Sequence, residues 1–224
     1  LPATLAAPTP VSALLHAGVV NAGGVLLIKL SPVVTSSGVV QALIILAGLA
    51  TLAYGAAIML AKPDIKGALA HSTMAQMGFM ILTCGLGLWA AAVFHLVAHG
   101  FYKATLFLSS GSAIAYRRRK RSLPPATART RSAIPALLLP ALGIALALLV
   151  VPMGPGDHTA EWALLLFAWV TGAAATNGWL VRRPGAGGVL TAAAFLLPVS
   201  LAYVWLVSTV SGFLAPDLPA AALP

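Results

Sequence analysis

His95, His99 and Lys103 stand four residues apart in "HLVAHGFYK", inside a stretch that is otherwise almost wholly apolar. Residues at that spacing keep to one side of a helix, so the three form a slanted stripe about 12 Å long. Imidazole titrates near neutral pH, and an ammonium taken out of water can also exchange its proton. Joined by water, such groups make a proton relay. A histidine pair at i and i+4 can instead ligate a metal ion. The third reading is polar glue between helices, with the lysine snorkelling to the interface.

Where the stripe sits decides what it must face. The chain has 224 residues, 60% of them hydrophobic and only 8% charged, and its mean hydropathy is +0.97. An average soluble domain carries roughly a quarter charged residues, so this is an integral membrane protein. Apolar segments run over about 11–30, 38–61, 67–84, 88–115, 133–152, 161–181 and 189–213. As helices they are long enough, or nearly so, to cross about 30 Å of hydrocarbon, and the fold class is all-α with about seven spans. Lys103 falls near the middle of 88–115, where an unpaired lysine costs about 2.5–3.5 kcal/mol on the insertion scale. The stripe must therefore face protein or water. The third segment contains His71, Ser72, Thr73 and Gln76, and it too must face other helices.

Alternate connections sort the charges. Lys62 and Lys66, the run Arg117, Arg118, Arg119, Lys120 and Arg121 with Arg129 and Arg131, and the pair Arg182 and Arg183 all fall on one side. Asp157, Glu161 and Asp217 fall on the other, with Lys29 at its edge. The positive-inside rule makes the basic loops cytoplasmic and puts the C-terminus outside. The net charge of +9 is explained by those loops, and without aromatic residues between the arginines no nucleic-acid partner is expected. The chain begins without Met or a basic leader and reads as a piece of a longer protein, without a signal peptide. Organisation along the chain is a membrane domain over 1–115, a basic cytoplasmic loop over 116–132 and further membrane helices over 133–224.

Breakers refine the first half. Pro8 and Pro10 set the first helix start, Pro63 separates the second and third segments, and "CGLG" turns the chain before Trp89. "NAGG", residues 21–24, marks a weak or close-packed point in the first helix, with Asn21 as a supporting polar group. His16 and His71 are lone imidazoles in apolar helices, and their interest lies in adding two further helices to the histidine set. Asp64 and Lys66 suit a helix start. His158 reads as a solvated loop residue, and "GLG" at 85–87 is no nucleotide site. With one cysteine, Cys84, five histidines and four acids, a zinc or di-iron catalytic site is poorly supplied. Haem between His95 or His99 and His16 or His71 remains a paper alternative. No cofactor, no metal and no covalent chemistry are expected in this chain.

"APTPVSALLHAG", "DIKGALAHSTMAQMGFM" and "HLVAHGFYKATLF" resemble, in order, signature stretches of the antiporter-like, proton-conducting membrane subunits of respiratory complex I and the multi-subunit cation/proton antiporters. The resemblance covers about residues 1–115; beyond it the chain matches only as hydrophobic helices. "LHAGVVNAGG" and "YKATLFLSSGS" look closest to the DabB type, the membrane subunit of a bicarbonate/CO2 accumulation system. That resemblance implies a bacterial inner-membrane, proton-translocating subunit with a zinc-containing, carbonic-anhydrase-like partner. It implies Lys103 as the central lysine of a second half-channel, His95 and His99 as its neighbours, and His16 on the helix after a first half-channel lysine. That lysine and its glutamate would lie upstream of Leu1. Residues 133–213 hold no comparably central ionisable group, so an exit route there is not implied. A proton-pumping NADH-quinone oxidoreductase or cation/proton antiporter subunit is the near alternative. A membrane metalloenzyme using His95 and His99 and a purely structural assembly subunit are the alternatives of other classes.

Overall fold

A computed structural model describes residues 6–112, 133–150, 159–214 and 216, and every described element is helical. The arginine-rich loop of 116–132, Asp157, His158 and Asp217 lie outside the described residues. Two compact units divide the chain, Leu1–Leu123 with Leu214–Pro224, and Pro124–Phe213.

In the first unit, α1 (Thr9–Ala17) starts behind Pro8 with Pro10 in its first turn, where a missing N–H costs nothing. The sequence marked one apolar span over 11–30 with a weak or close-packed point at residues 21–24. Within that span α1 stops at Ala17, a 3₁₀ turn covers Val19–Asn21, and α2 resumes over Ala22–Lys29. The break follows Gly18 and ends on Asn21, the first residue of "NAGG", and glycine weakens helix continuity. A short α3 (Ser31–Val34) leads to α4 (Gly38–Ala61), α5 (Ile65–Gly85) and α6 (Trp89–Leu108), with a last 3₁₀ turn at Ser109–Ser112.

Asp64 starts α5 by accepting a 3.0 Å hydrogen bond from the Gly67 amide. A side chain on Gly67 would collide with that carboxylate. At the other end Gly87 adopts a φ of 72°, which closes the "CGLG" turn at no steric cost. Between α4 and α5 the backbones touch. A Cβ on Gly48 would lie 2.6 Å from the Leu82 amide, and one on Gly55 would lie 2.6 Å from the Ala75 amide. Gly78 answers from α5, packed against the Gly48 carbonyl. Small residues let helices approach this closely where no hydrophobic effect drives them together.

Among the described residues six helices are long and apolar enough to cross a membrane: Thr9–Lys29 taken across its break, Gly38–Ala61, Trp89–Leu108, Ala133–Val150, Trp162–Arg182 and Ala186–Leu214. The seventh expected span, α5, is a helix of 21 residues but is not among them. Its polar side chains explain both facts, because His71 and Thr73 are buried against neighbouring helices rather than exposed to lipid. Meanwhile Leu43, Leu46 and Leu60 of α4 are exposed, and His16, Gln41, His99 and Lys103 are buried. Polar inside and apolar outside is the distribution a lipid solvent selects.

The second unit holds α7 (Ala133–Val150), α8 (Thr159–Arg182) and α9 (Ala186–Leu214). Pro140 interrupts the hydrogen-bond ladder of α7. Trp169 of α8 donates its indole N–H to the Leu137 carbonyl at 3.0 Å, and Gly172 lets α8 approach Pro140. Gly185, with φ 97°, turns the chain into α9. Beside that turn Arg183 lies over the Trp179 ring, 4.8 Å from its centroid, a pairing suited to a membrane–water boundary.

Candidate functional site

Helix α6 carries His95, His99 and Lys103 on one side, as their spacing requires. Because α6 ends at Leu108 rather than running on to 115, its midpoint falls near His99 and Lys103 belongs to its second half. Lys103 is nonetheless 0% exposed and His99 3%, so the lysine does not snorkel.

Three helices build the surroundings. Helix α1 packs on α6, with Gly100 close to the Ala17 carbonyl, and this brings His16 beside the stripe. Its ring stacks on Phe107, centroids 4.6 Å apart and planes 15° apart. His16, His95 and His99 all lie within electrostatic reach of Lys103. From α5, Ser72 accepts a hydrogen bond from the Lys103 ammonium at 2.5 Å, and the Tyr102 ring lies 6.0 Å from the same nitrogen. Further along α6, His95 stacks on His99 at 5.8 Å, meets the edge of Phe79 at 5.4 Å and faces the backbone of Gln76.

No Asp or Glu lies within α1 to α6. Lys103 therefore has no carboxylate there to fix its charge permanently, and a hydroxyl and imidazoles are what it meets. Both ring nitrogens of His99, Nε2 of His95 and Oε1 of Gln76 are buried without a protein partner. Buried polar atoms left open in this way are places for ordered water. Imidazole, water, ammonium and hydroxyl can pass protons among themselves, whereas a hard metal cation finds no oxygen cage here. Among the described residues no group of three or more His, Cys, Asp or Glu is placed to hold a metal ion.

Three further expected residues spend side-chain hydrogen bonds on nearby backbone. His71 commits Nδ1–H to the Gly67 carbonyl of its own helix at 2.8 Å. Asn21 lies in the 3₁₀ turn and donates to the Ala17 carbonyl at 2.8 Å, its Oδ1 buried and open. Thr73 donates to the Leu69 carbonyl at 3.1 Å. Phe107 and Phe79, which wall the histidines, were not singled out from sequence. Phe107 stands four residues after Lys103 on the same face, which is the signal that could have found it.

The family described as NADH:quinone oxidoreductase/Mrp antiporter, TM, matches residues 1–181. The chain belongs to this family. The match extends the resemblance seen over 1–115 well into the second unit. A probable inorganic carbon transporter subunit DabB1 of Halothiobacillus neapolitanus is 44% identical over 189 residues, 77% of this chain and 34% of that protein. A probable inorganic carbon transporter subunit DabB of Bacillus subtilis is 46% identical over 111 residues, 50% of this chain and 22% of the relative. The chloroplastic NAD(P)H-quinone oxidoreductase subunit 5 of Poa pratensis is 49% identical over 115 residues, 51% of this chain and 16% of its own length. The chain thus spans about a third or less of the length of the curated relatives it matches. No solved structure matches it. Within the family, this chain is a multi-pass antiporter-like membrane segment whose first unit holds the lysine–histidine cluster.

Proposed function

We propose that this chain is the proton-conducting section of a subunit in a hetero-oligomeric membrane complex, and that the complex energises bicarbonate or CO2 uptake. The observation that carries proton conduction is Lys103, wholly buried, hydrogen-bonded to a hydroxyl and surrounded by His16, His95 and His99 with no carboxylate in the same helices. Protons enter along the histidines, and Lys103 changes charge as the partner drives or draws them. The chain's own groups make and break no covalent bonds beyond proton transfer.

The inorganic-carbon reading is favoured by the extent of similarity. The Halothiobacillus relative is matched over 77% of this chain, against 51% for the chloroplastic quinone oxidoreductase subunit. On this reading the partner is a zinc-containing, carbonic-anhydrase-like protein, and the membrane is a bacterial inner membrane with the basic loops cytoplasmic and the C-terminus outside. A proton-pumping quinone oxidoreductase subunit is the second reading, supported by the 49% identity to the chloroplastic relative. A metalloenzyme built on His95 and His99 lacks a third ligand among the described residues.

The test expresses the full-length parent with its genomic neighbour in cells lacking carbonic anhydrase and compares wild type with Lys103→Met for growth in air. Rescue by wild type and loss in the variant is the expected result. Failure of both, with both proteins present in the membrane, turns the reading to a respiratory or antiporter complex. Equal rescue removes Lys103 from the relay.

A further inference from the structure

A serine hydroxyl has one hydrogen and two lone pairs, and both sides of Ser72 are in use. It donates to the Leu69 carbonyl at 2.7 Å and accepts from the Lys103 nitrogen at 2.5 Å. An ammonium has donors only, so this orientation suits protonated Lys103, and a hydrogen bond from a charged donor is about twice as strong as a neutral one. Loss of the lysine proton exposes an amine lone pair. The hydroxyl can then rotate and donate to that nitrogen instead of to Leu69.

Such a rotation leaves the carbonyl of half-buried Leu69 with one bond fewer. Here the neighbouring hydroxyl removes that penalty, because Thr73, 0% exposed, also donates to the Leu69 carbonyl, at 3.1 Å. Ser72 is thereby released to follow the charge. Among the described residues, the other titratable groups near Lys103 are Tyr102, whose ring lies 6.0 Å from its nitrogen, His16 from α1 and His95 and His99 from α6. Both nitrogens of His99 are without a protein partner, so the bond from Lys103 to protein goes to Ser72 rather than to that ring. His71 on α5 is tied to Gly67, and α1 to α6 contain no acid.

We propose that Ser72 is a positioning residue of the relay, a two-way hydroxyl on α5 that holds the protonated Lys103 and turns to meet the neutral one, with Thr73 keeping the Leu69 carbonyl satisfied in both states. The inference deepens the proton-conduction reading and rests on it. It ties the charge of Lys103 to α5, a helix that carries none of the α6 stripe.

The experiment reads the lysine proton directly rather than transport. Full-length protein labelled with ¹⁵N-lysine is placed in lipid, and the Lys103 Nζ resonance is assigned by its disappearance in Lys103→Arg. The ammonium-to-amine ratio is then followed across pH in wild type, Ser72→Ala, Ser72→Thr and Ser72→Cys. Removing one hydrogen bond to the charged form should lower the ratio about tenfold at a given pH in Ser72→Ala. Ser72→Thr, which keeps the hydroxyl, should restore it. Ser72→Cys, close in shape but a weak acceptor, should fall with the alanine variant and gives the same reading if that variant does not accumulate. An unchanged ratio in both the alanine and cysteine variants overturns the assignment while leaving Lys103 in the relay. A wild-type Lys103 that stays ammonium throughout overturns the assignment and the relay together.

Discussion

His16 lies flat against Phe107, ring centroids 4.6 Å apart and planes 15° apart, so the histidine of α1 is held in place by a residue of the helix that carries Lys103. Stacking engages the face of the imidazole, whereas its nitrogens lie on the ring edge. The proposed relay gives His16 a proton role beside this packing role, and one substitution separates them. His16→Phe keeps an aromatic ring on Phe107 and removes the titratable nitrogens. Thermal stability in detergent should stay near wild type while proton flux in proteoliposomes falls at least about tenfold, the low end for a lost acid–base group. His16→Ala should lower both. Full flux in His16→Phe would confine His16 to packing.

Asp64 makes a prediction outside the relay. Its carboxylate accepts the Gly67 amide at 3.0 Å and sits at the positive end of α5, so Asp64→Ala should destabilise the first unit by about 1 kcal/mol. Asp64→Asn should recover most of that loss, since asparagine caps nearly as well. Denaturation of the purified full-length protein distinguishes the two variants, and equal stability of all three would show that the cap contributes nothing.

The all-helical membrane fold was legible because charge is so scarce that lipid is the only solvent those segments can have. The stripe was equally legible, since a spacing of four fixes His95, His99 and Lys103 to one face whatever the tertiary structure. Burial of Lys103 followed from its energetic cost in hydrocarbon. What surrounds it did not follow. Ser72 was readable as a polar group on a neighbouring helix, but its contact with Lys103 depends on the rotation of α5 against α6, which periodicity within one helix cannot give. His71 was indistinguishable in sequence from His16, yet the backbone of its own helix takes its Nδ1–H. The break at Val19–Asn21 shares only Asn21 with the weak point marked at "NAGG", because glycine weakens a helix without stating where it parts.

The glycines of α4 make a packing prediction. A Cβ on Gly48 would stand 2.6 Å from the Leu82 amide and 2.9 Å from the Gly78 carbonyl. Those are backbone atoms, which cannot step aside as a flexible side chain would. Gly48→Ala and Gly55→Ala should each cost about 1–3 kcal/mol, the range for overpacking a filled interface. Gly23→Ala, with nothing within 4 Å of its added carbon, serves as the control and should be neutral or slightly stabilising. A common thermal midpoint for all three variants would mean that α4 and α5 are not in backbone contact in the assembled protein.

Lys103 itself separates a fixed charge from a moving proton. If the cluster needs only a positive charge to organise α1, α5 and α6, arginine should serve, because it keeps the charge and can still donate to Ser72. Arginine cannot release its proton under these conditions. Lys103→Arg should therefore assemble about as well as wild type while proton flux falls by about a hundredfold, as for loss of an essential proton carrier. Lys103→Met should lose flux to the same extent, and its assembly should suffer less than expected for a broken ion pair, since α1 to α6 hold no acid that would be left unpaired. Flux retained in Lys103→Arg would make Lys103 an electrostatic anchor, and the protons would have to pass by way of His16, His95 and His99 alone.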